Sequence, residues 1–162
     1  MREPSAGPPV SGDVAEIEQT LRGVTLFSHL SQRQRARLAR FATTRSYKQG
    51  STIVRQGDTS MSLYVILSGA VRVSRESEGG GGSVEVEQLG PGGAFGEMGL
   101  IEDLPRAATV VAEQPTTCAL LAKWDFQNEL RDDPEIALSL LPVLTGRIRE
   151  LDSLLAQAKT ER

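Results

Sequence analysis

Residues 90–110 of the chain read GPGGAFGEMGLIEDLPRAATV, and this stretch decides both the fold and the function we predict. Its glycines leave the backbone open to close approach by a ligand, and they stand at positions 92, 93, 96 and 99. Residues 97–101 are predicted to form one short helical turn, whose first amide groups would attract an anion. Arg106 follows Pro105, and its planar guanidinium can hold two phosphate oxygens through parallel hydrogen bonds. The stretch therefore predicts a cradle for a small phosphate.

Glu97 is a carboxylate beside this anion site, so it needs a different partner from the phosphate. An ionised carboxylate accepts hydrogen bonds, and the 2′-hydroxyl of a sugar donates one. The ligand would then carry a ribose and a phosphate at a fixed separation. The competing interpretation is that Glu97 and Arg106 simply pair with each other.

The order of residues in the stretch is similar to that of a known family. Phe95-Gly-Glu97 followed by Pro105-Arg-Ala-Ala-Thr-Val110 resembles the phosphate-binding cassette of cyclic nucleotide-binding domains. These domains occur in the regulatory subunit of the cAMP-dependent protein kinase, in the catabolite activator protein and in cyclic-nucleotide-gated channels. The resemblance extends over about residues 24–158 and includes Gln56-Gly-Asp58 and residues 63–73. It implies a regulatory protein without catalytic activity or cofactor, whose ligand is cAMP or cGMP.

The resemblance also implies roles for single residues of the cassette. Glu97 would accept a hydrogen bond from the ribose 2′-hydroxyl, and Arg106 would bind an exocyclic phosphate oxygen. The backbone amides of Gly96, Gly99 and Leu100 would complete the phosphate site. The predicted ligand-binding cassette residues are Phe95, Gly96, Glu97, Met98, Gly99, Leu100, Pro105, Arg106, Ala107 and Ala108.

The base and the lid are assigned by the same resemblance. cGMP-dependent kinases carry a Thr hydroxyl directly after the Arg, whereas this chain has Ala107, so cAMP is favoured over cGMP. The base is expected to rest on Val71 and Leu89. Arg147 and Leu151 are expected near the lid formed by the last helix.

The pattern along the chain predicts a mainly β fold with flanking helices, an antiparallel roll or jelly-roll-like barrel. Short β-branched or alternating segments recur about every ten residues between glycines, which is typical of all-β barrels and sandwiches. Residues 1–12 are rich in Pro, Gly and Ser, which predicts a disordered tail. We assign residues 13–158 to one domain, with helices over 13–42, the roll over 43–122 and C-terminal helices over 124–158.

Composition excludes several other kinds of site. The chain has 162 residues, a mass of 17.5 kDa and a net charge of −3, whereas DNA-binding domains are usually basic. It contains one His, His29, and one Cys, Cys118, too few for a His or Cys metal cluster or an internal disulfide. The longest strongly apolar runs, 63–67 and 118–122, are far shorter than a membrane helix requires. We therefore expect a cytoplasmic protein that binds neither nucleic acid nor membranes. Cys118 is expected to be an inert core thiol, and Trp124 is expected to pack where the roll meets the next helix.

The last helix carries an apolar seam with alternating steps of four and three residues, which is a heptad pattern. The seam comprises Ala137, Leu141, Leu144, Ile148, Leu151, Leu155 and Ala158. Two interpretations stay open: the seam docks onto the roll, or it joins two chains, as the equivalent helix does in catabolite activator proteins. Pro142 predicts a kink and a possible hinge. The protein would signal to an unknown effector protein. The alternative function is a degenerate roll that binds a protein partner without nucleotide.

Overall fold

Two antiparallel four-stranded sheets form the body of the protein. A computed structural model describes Gly7 and residues 12–162. One sheet has the order β1-β8-β3-β6 and the other β2-β7-β4-β5. The strands are β1 Thr43–Tyr47, β2 Thr52–Val54, β3 Ser62–Ser68, β4 Val71–Glu76, β5 Ser83–Leu89, β6 Ala94–Phe95, β7 Thr109–Ala112 and β8 Thr116–Ala122. The predicted mainly β fold with flanking helices is confirmed.

In the described part of the chain, four α-helices flank the sheets, two before them and two after. They are α1 Val14–Arg22, α2 Gln32–Phe41, α3 Lys123–Asp132 and α4 Pro134–Thr160. Single turns of 3₁₀ helix occupy Thr25–Phe27 and Glu97–Leu100. The Ser31 hydroxyl accepts from the Gln34 amide, and the Gln34 side chain accepts from the Ser31 amide, which caps α2.

Two apolar clusters hold these elements together. One cluster takes buried residues from both sheets, among them Tyr47, Ile53, Ile66 and Cys118. The other packs the outer face of β3 and β8 against the helices, and in it Phe27 and Phe126 meet with ring centroids 5.9 Å apart. Each fully buried large apolar side chain contributes about 1.5–3 kcal/mol, so this packing stabilises the helices against the sheets.

The apolar seam of α4 does not dock onto the roll. The helix buries Ile136, Leu140 and Val143, which lie on a neighbouring face. Leu144 is partly buried against the core, whereas the other leucine and isoleucine side chains of the seam are more than half exposed. The docking interpretation is therefore wrong, because an adjoining stripe of α4 supplies the contacts with the body.

Pro142, where the sequence predicts a kink, lies inside α4, and the kink stays a prediction. Two further expectations differ from the structure or lie beyond it. Trp124 is 67% exposed, so it does not pack between the roll and α3. Almost all of the predicted tail, residues 1–12, lies outside the described residues.

Candidate functional site

A cavity of about 290 Å³ lies between the segments that follow β6 and the ribbon formed by β4 and β5. This volume is close to the ~300 Å³ at which small-molecule pockets begin. Its lining is mostly cassette: residues 94–99 and 104–108, joined by Val54, Ser60, Val73, Arg75, Glu87, Leu89 and Val110. The structure thus brings together in one cavity most of the residues that the sequence predicts.

Arg106 is the buried cation of this cavity, with 8% of its surface exposed. Its Nη2 donates to the Ser62 carbonyl oxygen at 2.9 Å, and its Cζ lies 5.4 Å from the centroid of the Tyr64 ring. Tyr64 in turn stacks on Phe95 with centroids 4.9 Å apart. The Nη1 atom of Arg106 is buried and has no hydrogen-bond partner among the described residues. A buried donor without an acceptor costs about 1–3 kcal/mol, so this atom fits an anionic ligand.

The backbone holds Arg106 in place from both sides. Its amide donates to the Asp58 carbonyl at 2.7 Å, and its carbonyl accepts from the Gly57 amide at 2.9 Å. Burial lowers the pKa of the Arg106 guanidinium, with Tyr64 and Asp58 acting in the opposite direction. A guanidinium remains charged at neutral pH even after such a shift. The site therefore presents a positive charge that the neighbouring backbone holds in place.

Gly96 cannot carry a side chain, because the Arg106 guanidinium occupies the space that a Cβ would take. Its φ is +86°, and a Cβ built there would overlap Arg106 Nη1 and approach the Ser62 carbonyl to 2.9 Å. Gly99 is likewise constrained, since a Cβ would overlap the Ser60 side chain. These two glycines therefore let the cassette wrap closely around the arginine.

Glu97 does not pair with Arg106. Its Oε1 accepts from Nη1 of Arg147 on α4 at 3.3 Å, and both side chains are partly buried. The interpretation of Glu97 and Arg106 as a mutual ion pair is therefore wrong. A second cavity of about 290 Å³ adjoins this contact and shares Glu97, Glu87 and Ala94 with the first.

Four predicted site residues lie outside the first cavity. Val71 and Leu100 are fully buried in the apolar clusters, Leu151 is exposed on α4, and Arg147 lines the second cavity. Val71, expected to support a base, does not line the cavity; Val73, two residues further along the same face of β4, lines it instead. The Gly99 amide, expected to be free for phosphate, donates to the Gly96 carbonyl at 3.2 Å.

Two charged residues of the cavity were missed by sequence reasoning. Glu87 lies directly opposite Val73 in the β4–β5 register, and Arg75 pairs with Val84 nearer the tip of the ribbon. The alternation in the sequence marks two faces of β5, but the exposed Val84 and Val86 suggest the wrong inner face. The cross-strand pair of Val73 and Glu87 identifies the face that looks into the cavity.

The chain shares its cassette and its fold with known proteins. It matches the profile of the cyclic nucleotide-binding domain family over residues 44–133. It is 35% identical to the Cyclic AMP receptor protein of Thermus thermophilus over 82% of this chain and 61% of that protein. It is 35% identical to a cAMP-dependent protein kinase regulatory subunit of Debaryomyces hansenii, over 77% of this chain and 26% of that subunit. The chain therefore spans less than two thirds of these curated relatives.

Solved structures of other proteins share the fold of this chain. The N-terminal domain of a transcriptional regulator from Streptomyces coelicolor superposes with a TM-score of 0.76 at 30% identity, covering 84% of this chain and 94% of that one. The regulatory domain of Toxoplasma gondii PKA, crystallised with cAMP, gives a TM-score of 0.70 at 25% identity, covering 85% and 50% of the two chains.

Two searches of the described residues were negative. No helix within residues 12–162 has the length and apolar character to cross a membrane. No group of three or more His, Cys, Asp or Glu in the described part of the chain is arranged to hold a metal ion.

Proposed function

Because the chain belongs to the cyclic nucleotide-binding domain family, we propose that it is a cytoplasmic cyclic nucleotide sensor without catalytic activity. The observation that carries the proposal is the buried Nη1 of Arg106, which lacks a partner among the described residues in a cavity lined by the cassette. The phosphate of a cyclic nucleotide supplies the missing acceptor. A charge-assisted hydrogen bond contributes about 1.5–3 kcal/mol, which makes Arg106 the main determinant of affinity.

We assign cAMP as the preferred ligand. Ala107 and Ala108 line the cavity and offer no side-chain hydroxyl to a base. The apolar walls formed by Val73 and Leu89 suit a purine face, whose burial contributes roughly 25 cal/mol per Å². Adenine gains from this apolar contact without needing the hydroxyl that favours guanine.

The contact between Glu97 and Arg147 is the proposed route from the ligand to the C-terminal helix. The 2′-hydroxyl of the ribose competes for the Glu97 carboxylate that Arg147 holds at 3.3 Å. Binding therefore alters the hold of the cassette on α4. Pro142 offers a hinge, because a proline inside a helix cannot donate the backbone hydrogen bond to the residue four positions earlier.

A second copy of the chain is the proposed occupant of the exposed seam on α4. Ile148, Leu151 and Leu155 are each more than half exposed and fall at heptad positions. An isolated amphipathic segment of this length is marginal as a helix in water, so a partner surface would stabilise it. Arg147 and Asp152 flank the seam five residues apart, the spacing at which opposite charges meet across a parallel two-stranded coil.

The alternative function is a roll that binds a protein partner without nucleotide. The observation that favours it is a group of exposed apolar side chains on and beside the cassette. They are Met61, Met98, Ile101, Leu104 and Trp124. Under this alternative, the cassette would serve as a docking surface.

Calorimetric titration separates these functions. We expect wild-type protein to bind cAMP more tightly than cGMP, with micromolar affinity or better, about −8 kcal/mol. Absence of heat with either nucleotide at millimolar concentration would favour the protein-binding alternative.

Light scattering of the same samples tests the dimer, with Leu151→Asp as the variant. Wild type is expected to have twice the mass of the variant, and equal masses would refute the dimer.

A further inference from the structure

Glu87 places a carboxylate on the cavity wall formed by β4 and β5, which also carries Val73, Arg75 and Leu89. Val71 pairs with Leu89 and Val73 pairs with Glu87 across β4 and β5, so these four residues lie on one face of the ribbon. Val71 is in the core, while Val73 and Leu89 pack against it. At the next position along β5 toward the tip of the ribbon, the pattern predicts another apolar side chain, yet the chain has Glu87.

Glu87 is exposed, and its carboxylate has no hydrogen bond or ion pair with any described residue. Three other charged residues line the same cavity. Glu97 pairs with Arg147, Arg106 donates to Ser62, and Arg75 lies nearer the ribbon tip opposite Val84. Glu87 lines both the cavity of Arg106 and the adjoining cavity of Arg147. An acceptor thus stands unused at the wall opposite the phosphate cradle.

We infer that Glu87 reads position 6 of the purine ring, accepting a hydrogen bond from the amino group of adenine. The inference rests on the proposed function. With the phosphate at Arg106 and the ribose at Glu97, the base is the remaining part of the ligand, and Val73 and Leu89 provide its apolar support. An ionised carboxylate can only accept hydrogen bonds. Adenine presents a donor at position 6, whereas guanine and hypoxanthine present a carbonyl oxygen that a carboxylate repels.

The test compares three ligands that differ at position 6 of the purine: cAMP, cyclic inosine monophosphate, which also carries a hydrogen on N1, and the cyclic monophosphate of purine riboside, which carries hydrogen at position 6. Wild-type protein is expected to bind cAMP about tenfold more tightly than the purine riboside compound. In Glu87→Ala this difference disappears, because cAMP weakens about tenfold while the purine riboside compound is unchanged. In Glu87→Gln the preference for cAMP over cyclic inosine monophosphate falls about tenfold, since a side-chain amide can donate to the oxygen.

Glu85→Ala is the matched control, because Glu85 lies on the same strand but does not line the cavity. Its three affinities are expected to equal those of wild type. Unchanged ligand ratios in both Glu87 variants, or the same change in Glu85→Ala, would overturn the assignment while leaving nucleotide binding intact. Wild type that binds none of the three ligands would overturn the proposed function and this inference with it.

Discussion

Replacing Arg106 with Met removes the guanidinium and keeps an unbranched apolar side chain. In the ligand-free protein, the substitution removes the hydrogen bond to Ser62 and the contact with the Tyr64 ring, and both losses lower the stability. It also removes the buried Nη1 donor that has no partner among the described residues, and this change raises the stability. These terms are each about 1–3 kcal/mol and differ in sign. We therefore expect the free energy of unfolding of Arg106→Met to stay within about 1 kcal/mol of wild type.

The effect on the ligand is expected to be much larger. Two charge-assisted hydrogen bonds to the phosphate correspond to about 3–6 kcal/mol, and each 1.4 kcal/mol is about tenfold in affinity. The affinity for cAMP should fall by about 10² to 10⁴. With cAMP at 100 times the wild-type Kd, wild type gains about 2.7 kcal/mol of stability, whereas a variant weakened 100-fold gains roughly 0.4 kcal/mol.

Thermal unfolding with and without cAMP measures both effects on one sample. The matched control is Arg72→Met, because Arg72 lies on β4 outside the cavity, where it pairs with Glu113 at 3.7 Å. The control should retain the full gain from cAMP. The reasoning about Arg106 is refuted if Arg106→Met keeps this gain, or if it loses several kcal/mol of stability without any ligand.

Three other predictions follow from the site and the core. Glu97→Ala should bind cAMP and its 2′-deoxy analogue equally, whereas wild type should prefer cAMP about tenfold; an unchanged ratio by calorimetry would contradict the ribose contact. The affinity of Gly96→Ala for cAMP should fall at least about tenfold, because the added Cβ takes the place of Arg106 Nη1. The control is Gly92→Ala, since Gly92 has the same φ of +86° but faces open space; this variant should lose stability and keep its affinity for cAMP. Burial raises the pKa of the Cys118 thiol from 9.0 to about 12. Only the unfolded thiol ionises as pH passes 9, so the free energy of unfolding should fall by up to about 1.4 kcal/mol per pH unit above that point; urea titrations of wild type and Cys118→Ala should differ by this slope.

The cassette can be predicted from sequence because its determinants are local. Gly96 and Arg106 are ten residues apart, and each is fixed by its own chemistry: a positive φ in one case and a forked cation in the other. The strand pattern is also local, since β-branched and alternating residues mark strands wherever they pair. These features are sufficient to predict the β roll and the position of the cavity that contains Arg106.

The remaining features depend on contacts between distant segments. Alternation shows which residues of β5 share a face, but not which face is inside, so Glu87 becomes visible only through its partner Val73. The contact of Arg147 with Glu97 joins residues 50 positions apart. The sequence of α4 shows a heptad pattern, but this pattern does not determine what the seam packs against. In the structure a neighbouring stripe of the helix contacts the body.

The most direct test is a crystal structure of the protein with cAMP. The account predicts the cyclic phosphate within hydrogen-bond distance of Arg106 Nη1, with the ribose hydroxyl at Glu97. A cavity that stays empty at saturating cAMP, or a nucleotide whose phosphate lies away from Arg106, would contradict it.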